Sequence, residues 1–145
     1  MMNDEDRQMR EIEFRGKKIN FMSSEWVFGG YDGSDSCDQI IDSTGEFHKV
    51  LPATLGQYTG LKDRKGNKVF EGDVVEFKSE FDYKHKGVVK WQCLGGYMVW
   101  NELEQGVRIW DGIISKVIGN VFDDSKLNEK YGKIWSEEIV IKCRN

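Results

Sequence analysis

The stretch that decides the fold is TLGQYTGLKDRKGNKVFEGDVV, residues 54–75. In it, Gly56 and Gly60 bracket a polar and aromatic run that is typical of a strand. Residues 63–67 then have the chemistry of a hairpin turn, because glycine and asparagine both tolerate left-handed backbone conformations. The returning strand ends at a second bend at Gly72. We therefore expect Gly60 or Gly72 to adopt a backbone conformation that other residues rarely reach.

Short apolar runs that predict strands recur on both sides of this stretch. Upstream, Ile12 and Phe14 alternate with charged residues, and Gly16-Lys17 predicts a hairpin turn leading to Ile19 and Phe21. Further strands are predicted at residues 26–28, 39–41, 74–77, 87–91, 97–100, 107–110 and 113–121. The later strands recur at intervals of roughly 8–12 residues, which favours a small barrel. We expect one core to contain the following residues: Val74, Phe77, Val89, Trp91, Tyr97 and Ile118.

The composition limits the classes of protein that need to be considered. The chain has 145 residues and a net charge of −4, which argues against a general electrostatic attraction to phosphate backbones. Its three cysteines, Cys37, Cys93 and Cys143, are widely separated, so we expect free thiols rather than a disulfide framework or a metal knuckle. The polar N-terminus and the lack of a long apolar run predict a cytoplasmic protein with no membrane association.

Several candidate chemical motifs lack the spacing that their chemistry requires. Residues 60–68 contain glycines and lysines but lack the spacing of a phosphate-binding loop. The carboxylates of Asp32, Asp35 and Asp38 lack calcium-loop spacing, so we interpret them as a solvated loop. His48 and His85 have no nucleophile at a recognisable spacing, and we interpret both as polar surface residues. We therefore expect no cofactor, no metal site and no catalytic residue.

Two groups of basic residues are compatible with a nucleic-acid interface. The first is Lys62, Arg64, Lys65 and Lys68, and the second is Lys84, Lys86 and Lys90. Loops of small barrels can present such residues to phosphates, with neighbouring aromatic rings stacking on bases. The alternative is a charged turn above a buried aromatic core, which we favour because the aromatic residues occupy alternating strand positions.

Five segments together resemble the YopX-like family, small proteins encoded mostly by bacteriophages, prophages and other mobile elements. The segments are REIEFRGK (10–17), EWVFG (25–29), the opening stretch (54–75), GVVKW (87–91) and VIGNVF (117–122). The resemblance covers about residues 10–127 and implies an SH3-like small β-barrel, but no reaction, cofactor or catalytic residue. With the strand pattern, it predicts a mostly β protein in which an N-terminal β-hairpin region precedes that barrel. The expected division is 1–9 (flexible), 10–52 (N-terminal β region), 53–122 (barrel) and 123–145 (tail).

The polar residues of the central stretch have two interpretations. They can build the fold, with Glu71 and Asp73 bonding backbone amides at the second bend, and we favour this interpretation. They can also form a binding surface, since loops on a rigid barrel commonly carry binding residues. The candidate surface consists of Gln57, Tyr58, Thr59, Lys62, Asp63, Arg64, Lys65, Lys68, Glu71 and Asp73.

The leading hypothesis is a phage or prophage accessory protein that binds a phage or host protein inside the bacterial cell. A nucleic-acid-binding module is the first alternative, and an enzyme using the acidic loop and a histidine is the second. Association with a second copy of the chain is left open.

Overall fold

The computed structural model describes residues 11–19, 25–34, 36–78, 83–92, 96–109 and 112–137. The described strands are β1 (Phe14–Lys17), β2 (Trp26–Asp32), β3 (Gln39–Ile41), β4 (Phe47–Lys49), β5 (Gly56–Lys62), β6 (Lys68–Phe70), β7 (Asp73–Lys78), β8 (Lys84–Gln92), β9 (Gly96–Trp100), β10 (Gly106–Arg108) and β11 (Ile114–Asn120). A short 3-10 helix spans Pro52–Thr54, and one α-helix, α1, spans Ser125–Ser136. No helix in these ranges is long and apolar enough to cross a membrane.

The strands form two antiparallel sheets. The six-stranded sheet has the order β4-β3-β2-β1-β5-β6, and the five-stranded sheet has the order β10-β9-β8-β7-β11. The prediction of a mostly β protein is therefore confirmed. The described strands do not close into a barrel, so the SH3-like barrel stays a prediction, as does the expected division into segments.

The N-terminal sheet curls back on itself. Lys18 pairs with Val50, and the Leu51 amide donates to the Lys17 carbonyl over 2.9 Å. The curl encloses a small apolar cluster formed by Val27, Ile40 and Val50, against which Phe14 and Leu55 pack.

Gly16 lies inside this curl and not at a turn. A Cβ atom there would lie 2.8 Å from Cβ of Val50, so the strand needs a glycine where it crosses that side chain. The predicted hairpin turn at Gly16-Lys17 is therefore wrong, because β1 continues straight through both residues. Phe21, the predicted end of that hairpin, lies outside the described residues.

The five-stranded sheet buries a different apolar cluster on each face. One cluster consists of Val69, Val75, Phe77, Val89, Val99, Ile113 and Ile114. The other consists of Val74, Val88, Trp100 and Val121 together with Tyr131 and Ile134 of α1. The helix begins where Asp124 accepts hydrogen bonds from the Lys126 and Leu127 amides, the usual cap for exposed N–H groups. The helix therefore covers one face of this sheet.

The expected single core is wrong in part. Val74 belongs to the helix-side cluster, whereas Phe77 and Val89 belong to the other. Trp91 is 51% exposed and Ile118 is 39% exposed, so neither lies in a core. Alternation predicts which face of a strand a residue occupies but not how far that face is covered.

The expectation for the two glycines is confirmed. Gly60 has φ 87° and Gly72 has φ 88°, values that L-residues rarely adopt. The Gly72 amide donates to the Val89 carbonyl over 2.9 Å, and the Gly72 carbonyl accepts from the Val121 amide over 3.1 Å. The second bend therefore joins β8 to the end of β11.

Candidate functional site

Four of the ten candidate surface residues are buried. Tyr58, Thr59, Asp63 and Asp73 are each at most 8% exposed. Their polar atoms have internal partners; the Thr59 hydroxyl, for example, donates to the Val69 carbonyl over 2.8 Å. These residues stabilise the fold from inside, and a binding role for the other six stays a prediction.

Asp63 organises the β5–β6 turn and fixes it to another strand. Its carboxylate accepts from the Lys65 and Asn67 amides at 2.9 and 2.8 Å, and from the Val117 amide of β11 at 3.0 Å. Burial raises the pKa of this carboxyl, but these hydrogen bonds favour the charged form and hold the pKa below its ordinary value. The turn therefore lies beside the backbone of β11.

A buried ion pair joins the two sheets. Nη2 of Arg15, on β1, donates to Oδ1 of Asp73 at 2.9 Å and to the Glu71 carbonyl at 3.2 Å. The guanidinium carbon lies 4.5 Å from the ring centre of Trp26 and 4.9 Å from that of Phe70. Burial raises the pKa of Asp73, and the positive charge of Arg15 opposes that rise. Arg15 is the residue of this junction that the sequence analysis missed.

Glu71 hydrogen-bonds to two further backbone segments at the same junction. Its Oε1 accepts from the Gln57 amide at 2.8 Å, and the Trp91 backbone also hydrogen-bonds to the carboxylate. Burial raises the pKa of Glu71 above its ordinary value. The expectation that Glu71 and Asp73 bond backbone amides at the bend is confirmed, since Asp73 accepts from the Phe70 amide at 2.8 Å.

A second ion pair lies beside the first but is more open to water. Lys17 pairs with Asp123, which also accepts from the indole N–H of Trp26 at 2.8 Å. Burial raises the pKa of Asp123, but the hydrogen bonds from Lys17 and Trp26 outweigh it and hold the pKa below its usual value. The Asp123 side chain is 43% exposed, so water can replace Lys17 as a partner.

In each of the two basic groups of the sequence, one lysine is bound by other residues of the chain and the others are exposed. Lys68 pairs with Glu11 at 2.8 Å and Glu13 at 3.2 Å, and Lys90 donates to the Ile134 carbonyl of α1 at 3.0 Å. The remaining members of both groups are exposed: Lys62, Arg64, Lys65, Lys84 and Lys86. A phosphate-binding surface must therefore be built without Lys68 and Lys90.

Within the described residues, three side chains could together hold a metal ion: Asp42, Glu46 and His48, whose ligand atoms lie within 4.8 Å of one another. Asp42 already accepts from the Thr44 amide at 2.9 Å and from Nε2 of His48 at 2.7 Å, if that nitrogen is protonated. Hydrogen bonds from Thr44 and His48 hold the pKa of Asp42 well below its ordinary value. These bonds account for the arrangement as the cap of the β3–β4 turn. The other histidine, His85, is exposed and stacks on Phe77 with ring centres 5.3 Å apart.

An aromatic pair, an exposed tryptophan and a partly buried tyrosine, lies on the face of the five-stranded sheet opposite α1. Trp91 and Tyr97 are directly paired across β8 and β9, with ring centres 4.9 Å apart in an edge-to-face arrangement. Val107, on the edge strand β10, is 41% exposed and pairs with Val99 of the same face. The apolar cluster of this face includes Val99 but ends before Trp91. We call Trp91, Tyr97 and Val107 the aromatic rim.

A family model matches most of the chain. The family model described as YopX protein matches residues 2–129, a range that contains all eleven strands and the start of α1. The resemblance carried by the five sequence segments is therefore confirmed. No curated protein matches the chain.

Proposed function

The chain belongs to the YopX family, and from this premise we propose that it is a phage- or prophage-type accessory protein that binds a protein partner in the bacterial cytoplasm. The observation that carries the proposal is the aromatic rim. Half of the Trp91 surface is open to water, next to a tyrosine that is only partly buried. Tryptophan and tyrosine are enriched in the few interface residues that contribute most binding energy.

The geometry of the rim suits an interface anchor. Trp91 and Tyr97 lie on paired strands of one sheet and already contact each other, so little side-chain freedom is lost when a partner binds. Val107 extends the apolar surface onto β10, which is an edge strand. A partner that covers the rim would remove apolar area from water, which stabilises a complex.

We also propose that β5 to β11 are the strands of an SH3-like barrel. Two contacts support this arrangement. The β5–β6 turn is held to β11 by Asp63 and Val117, and the bend at Gly72 bonds to both Val89 and Val121. The rim would then lie on the rigid part of the fold, where binding residues are positioned most accurately.

The test is affinity capture from infected or lysogenic bacterial cells, with each lysate divided into a nuclease-treated half and an untreated half. The Trp91→Ala/Tyr97→Ala variant should lose the protein captured by the wild type. The control is Leu103→Ala, which removes another exposed apolar side chain (77% exposed) away from the rim. Circular dichroism should show that both variants remain folded.

Capture by the double variant at the wild-type level would contradict the proposed surface. Capture that disappears with nuclease treatment in the wild type would contradict a protein partner. Equal loss in the Leu103→Ala control would show that the effect is not specific to the rim.

A further inference from the structure

Four lysines share the helix side of the five-stranded sheet, at the end that is exposed beyond the apolar cluster: Lys78, Lys84, Lys86 and Lys116. We call them the lysine face. Cross-strand partners, and residues two positions apart on one strand, lie on the same face of a sheet. Glu76 lies directly across from Lys86 on β8 and from Lys116 on β11, and it follows Val74 of the helix-side cluster by two positions. The lysine face therefore continues the side of the sheet that α1 covers at its other end.

The positive charges of this face are uncompensated by ion pairs within the described part of the chain. Lys78 and Lys84 are directly opposite each other, an arrangement in which like charges destabilise a sheet. None of the four lysines forms an ion pair with a described residue, whereas Lys68 and Lys130 elsewhere each have a carboxylate partner. An anionic partner would relieve the repulsion between Lys78 and Lys84.

The β5–β6 turn adds further basic residues at the outer edge of β11. The contact between Asp63 and the Val117 amide places this turn next to Lys116. Lys62, Arg64 and Lys65 of the turn are all exposed. The lysine face itself unites Lys84 and Lys86 of the second basic group with Lys78 and Lys116, which belonged to neither group.

Nearby carboxylates do not neutralise this surface. Among the described residues they are Asp63 in the turn and Glu76 in the sheet. The four lysines therefore share their face of the sheet with one carboxylate among the described residues, that of Glu76, although the whole chain has a net charge of −4. At about 0.15 M salt, charges separated by more than about 8 Å are largely screened, so the local excess governs contact with a polyanion.

We infer that the lysine face binds the phosphate backbone of duplex DNA without reading its sequence. Lysine ammonium groups are point charges on flexible side chains, and they suit phosphate groups. Among the described residues of β7, β8 and β11, no aromatic ring lies on that side, which favours contact with the phosphate backbone over base stacking. It lies on the opposite side of the sheet from Trp91, so this inference goes beyond the proposed protein-binding role and is independent of it. One molecule could bring a protein partner to DNA.

The test is fluorescence anisotropy with two labelled DNA duplexes of unrelated sequence, measured from 50 to 200 mM salt. If the four lysines meet about four phosphates, log K falls against log salt with a slope of about −3.6. The fourfold increase in salt then weakens binding about 150-fold. Both duplexes should bind equally well.

A matched pair of variants assigns the binding to this face. In one, Lys78, Lys84, Lys86 and Lys116 are replaced by Gln. In the control, Lys18, Lys49, Lys130 and Lys133 are replaced by Gln, which changes the net charge equally. We expect the first variant to bind at least tenfold more weakly at 50 mM salt and with a flatter slope, and the control to change less than threefold. Melting temperatures of both variants verify folding.

Equal affinity of the two variants, or no binding of the wild type at 50 mM salt, would overturn the inference. Binding to anionic vesicles but not to duplexes would assign the face to a membrane surface and would also overturn it. The Trp91→Ala/Tyr97→Ala variant should bind duplexes as the wild type does, which keeps this result separate from the capture experiment.

Discussion

Replacing Arg15 by Met should destabilise the protein strongly, because it leaves Asp73 buried without its counter-charge. The side chains of Arg15 and Asp73 are only 8% and 4% exposed, so water cannot take the place of the guanidinium. Breaking one side of a buried ion pair typically costs about 3–5 kcal/mol. The change also removes the stacking of the guanidinium on Trp26 and Phe70. Urea unfolding at pH 7 measures the loss.

The same variant should lose less stability at pH 5 than at pH 7. Burial already raises the folded pKa of Asp73 above the unfolded value of about 3.9. The stability that Asp73 contributes in its protonated form is therefore fully present below the unfolded pKa and is lost as pH rises through the folded pKa. Without Arg15 the folded pKa of Asp73 rises further, so the variant continues to lose stability at pH values where the wild type no longer does. Each pH unit between the unfolded and folded values changes the free energy of unfolding by about 1.4 kcal/mol.

Lys17→Met is the matched control, since it breaks the neighbouring ion pair with Asp123. That carboxylate is 43% exposed and keeps the Trp26 indole N–H as a partner, so we expect a loss of about 1 kcal/mol with little change between pH 5 and 7. Equal losses in the two variants, or an Arg15→Met deficit that does not depend on pH, would refute the reasoning about the buried charge.

Three further predictions follow from individual residues. Gly72→Ala should destabilise more than Gly60→Ala in urea unfolding: both have positive φ, but a Cβ at Gly72 meets an aromatic carbon at 2.6 Å while Gly60 has open space. Equal losses would show that the backbone conformation alone matters. Lys78→Glu should raise the melting temperature by about 1–3 °C by pairing with Lys84, and a fall would contradict the like-charge argument. Trp91→Ala should cost only about 1–2 kcal/mol, since half of the side chain is already in water; a loss of 3–5 kcal/mol would make it a core residue.

Local backbone chemistry was predictable from the sequence. Gly60 and Gly72 follow from turn-forming neighbours within a few residues, and the structure gives both a positive φ. Gly16 is also a glycine next to a polar residue, but it is needed for another reason, because the strand passes close over Val50 at this position. That need arises from a residue more than thirty positions away, and no local pattern shows it.

Burial was less predictable, because it depends on where a covering layer ends. Val89 and Trp91 lie on the same face of β8 and have the same sequence signal, yet one is fully buried and the other is half exposed. Val89 belongs to an apolar cluster that also contains Val69 of β6, whereas Trp91 belongs to none of the clusters among the described residues. The exposed rim could not have been found from the alternation of apolar residues alone.

The role of the central polar residues was decided by a partner far away in the chain. Asp73 looks like a surface carboxylate until Arg15, 58 residues earlier, is placed against it. Buried charges of this kind need both a counter-charge and hydrogen bonds, which Arg15 and the Phe70 amide supply. Such a residue fixes how the two sheets meet, so its conservation in a family would report on folding rather than on binding.

The same dependence on distance changes what net charge can say about partners. A net charge of −4 argues against nucleic acid only if the charges are evenly spread. Carboxylates instead neutralise Lys68, and helix carbonyls hold Lys90, while Lys78 and Lys84 lie opposite each other without an ion pair to a described residue. Because screening limits each charge to its neighbourhood, the register of three strands is a better guide to an anionic partner than the sum over the chain. A duplex that bound equally to the lysine-face and control variants would show that the sum was the better guide after all.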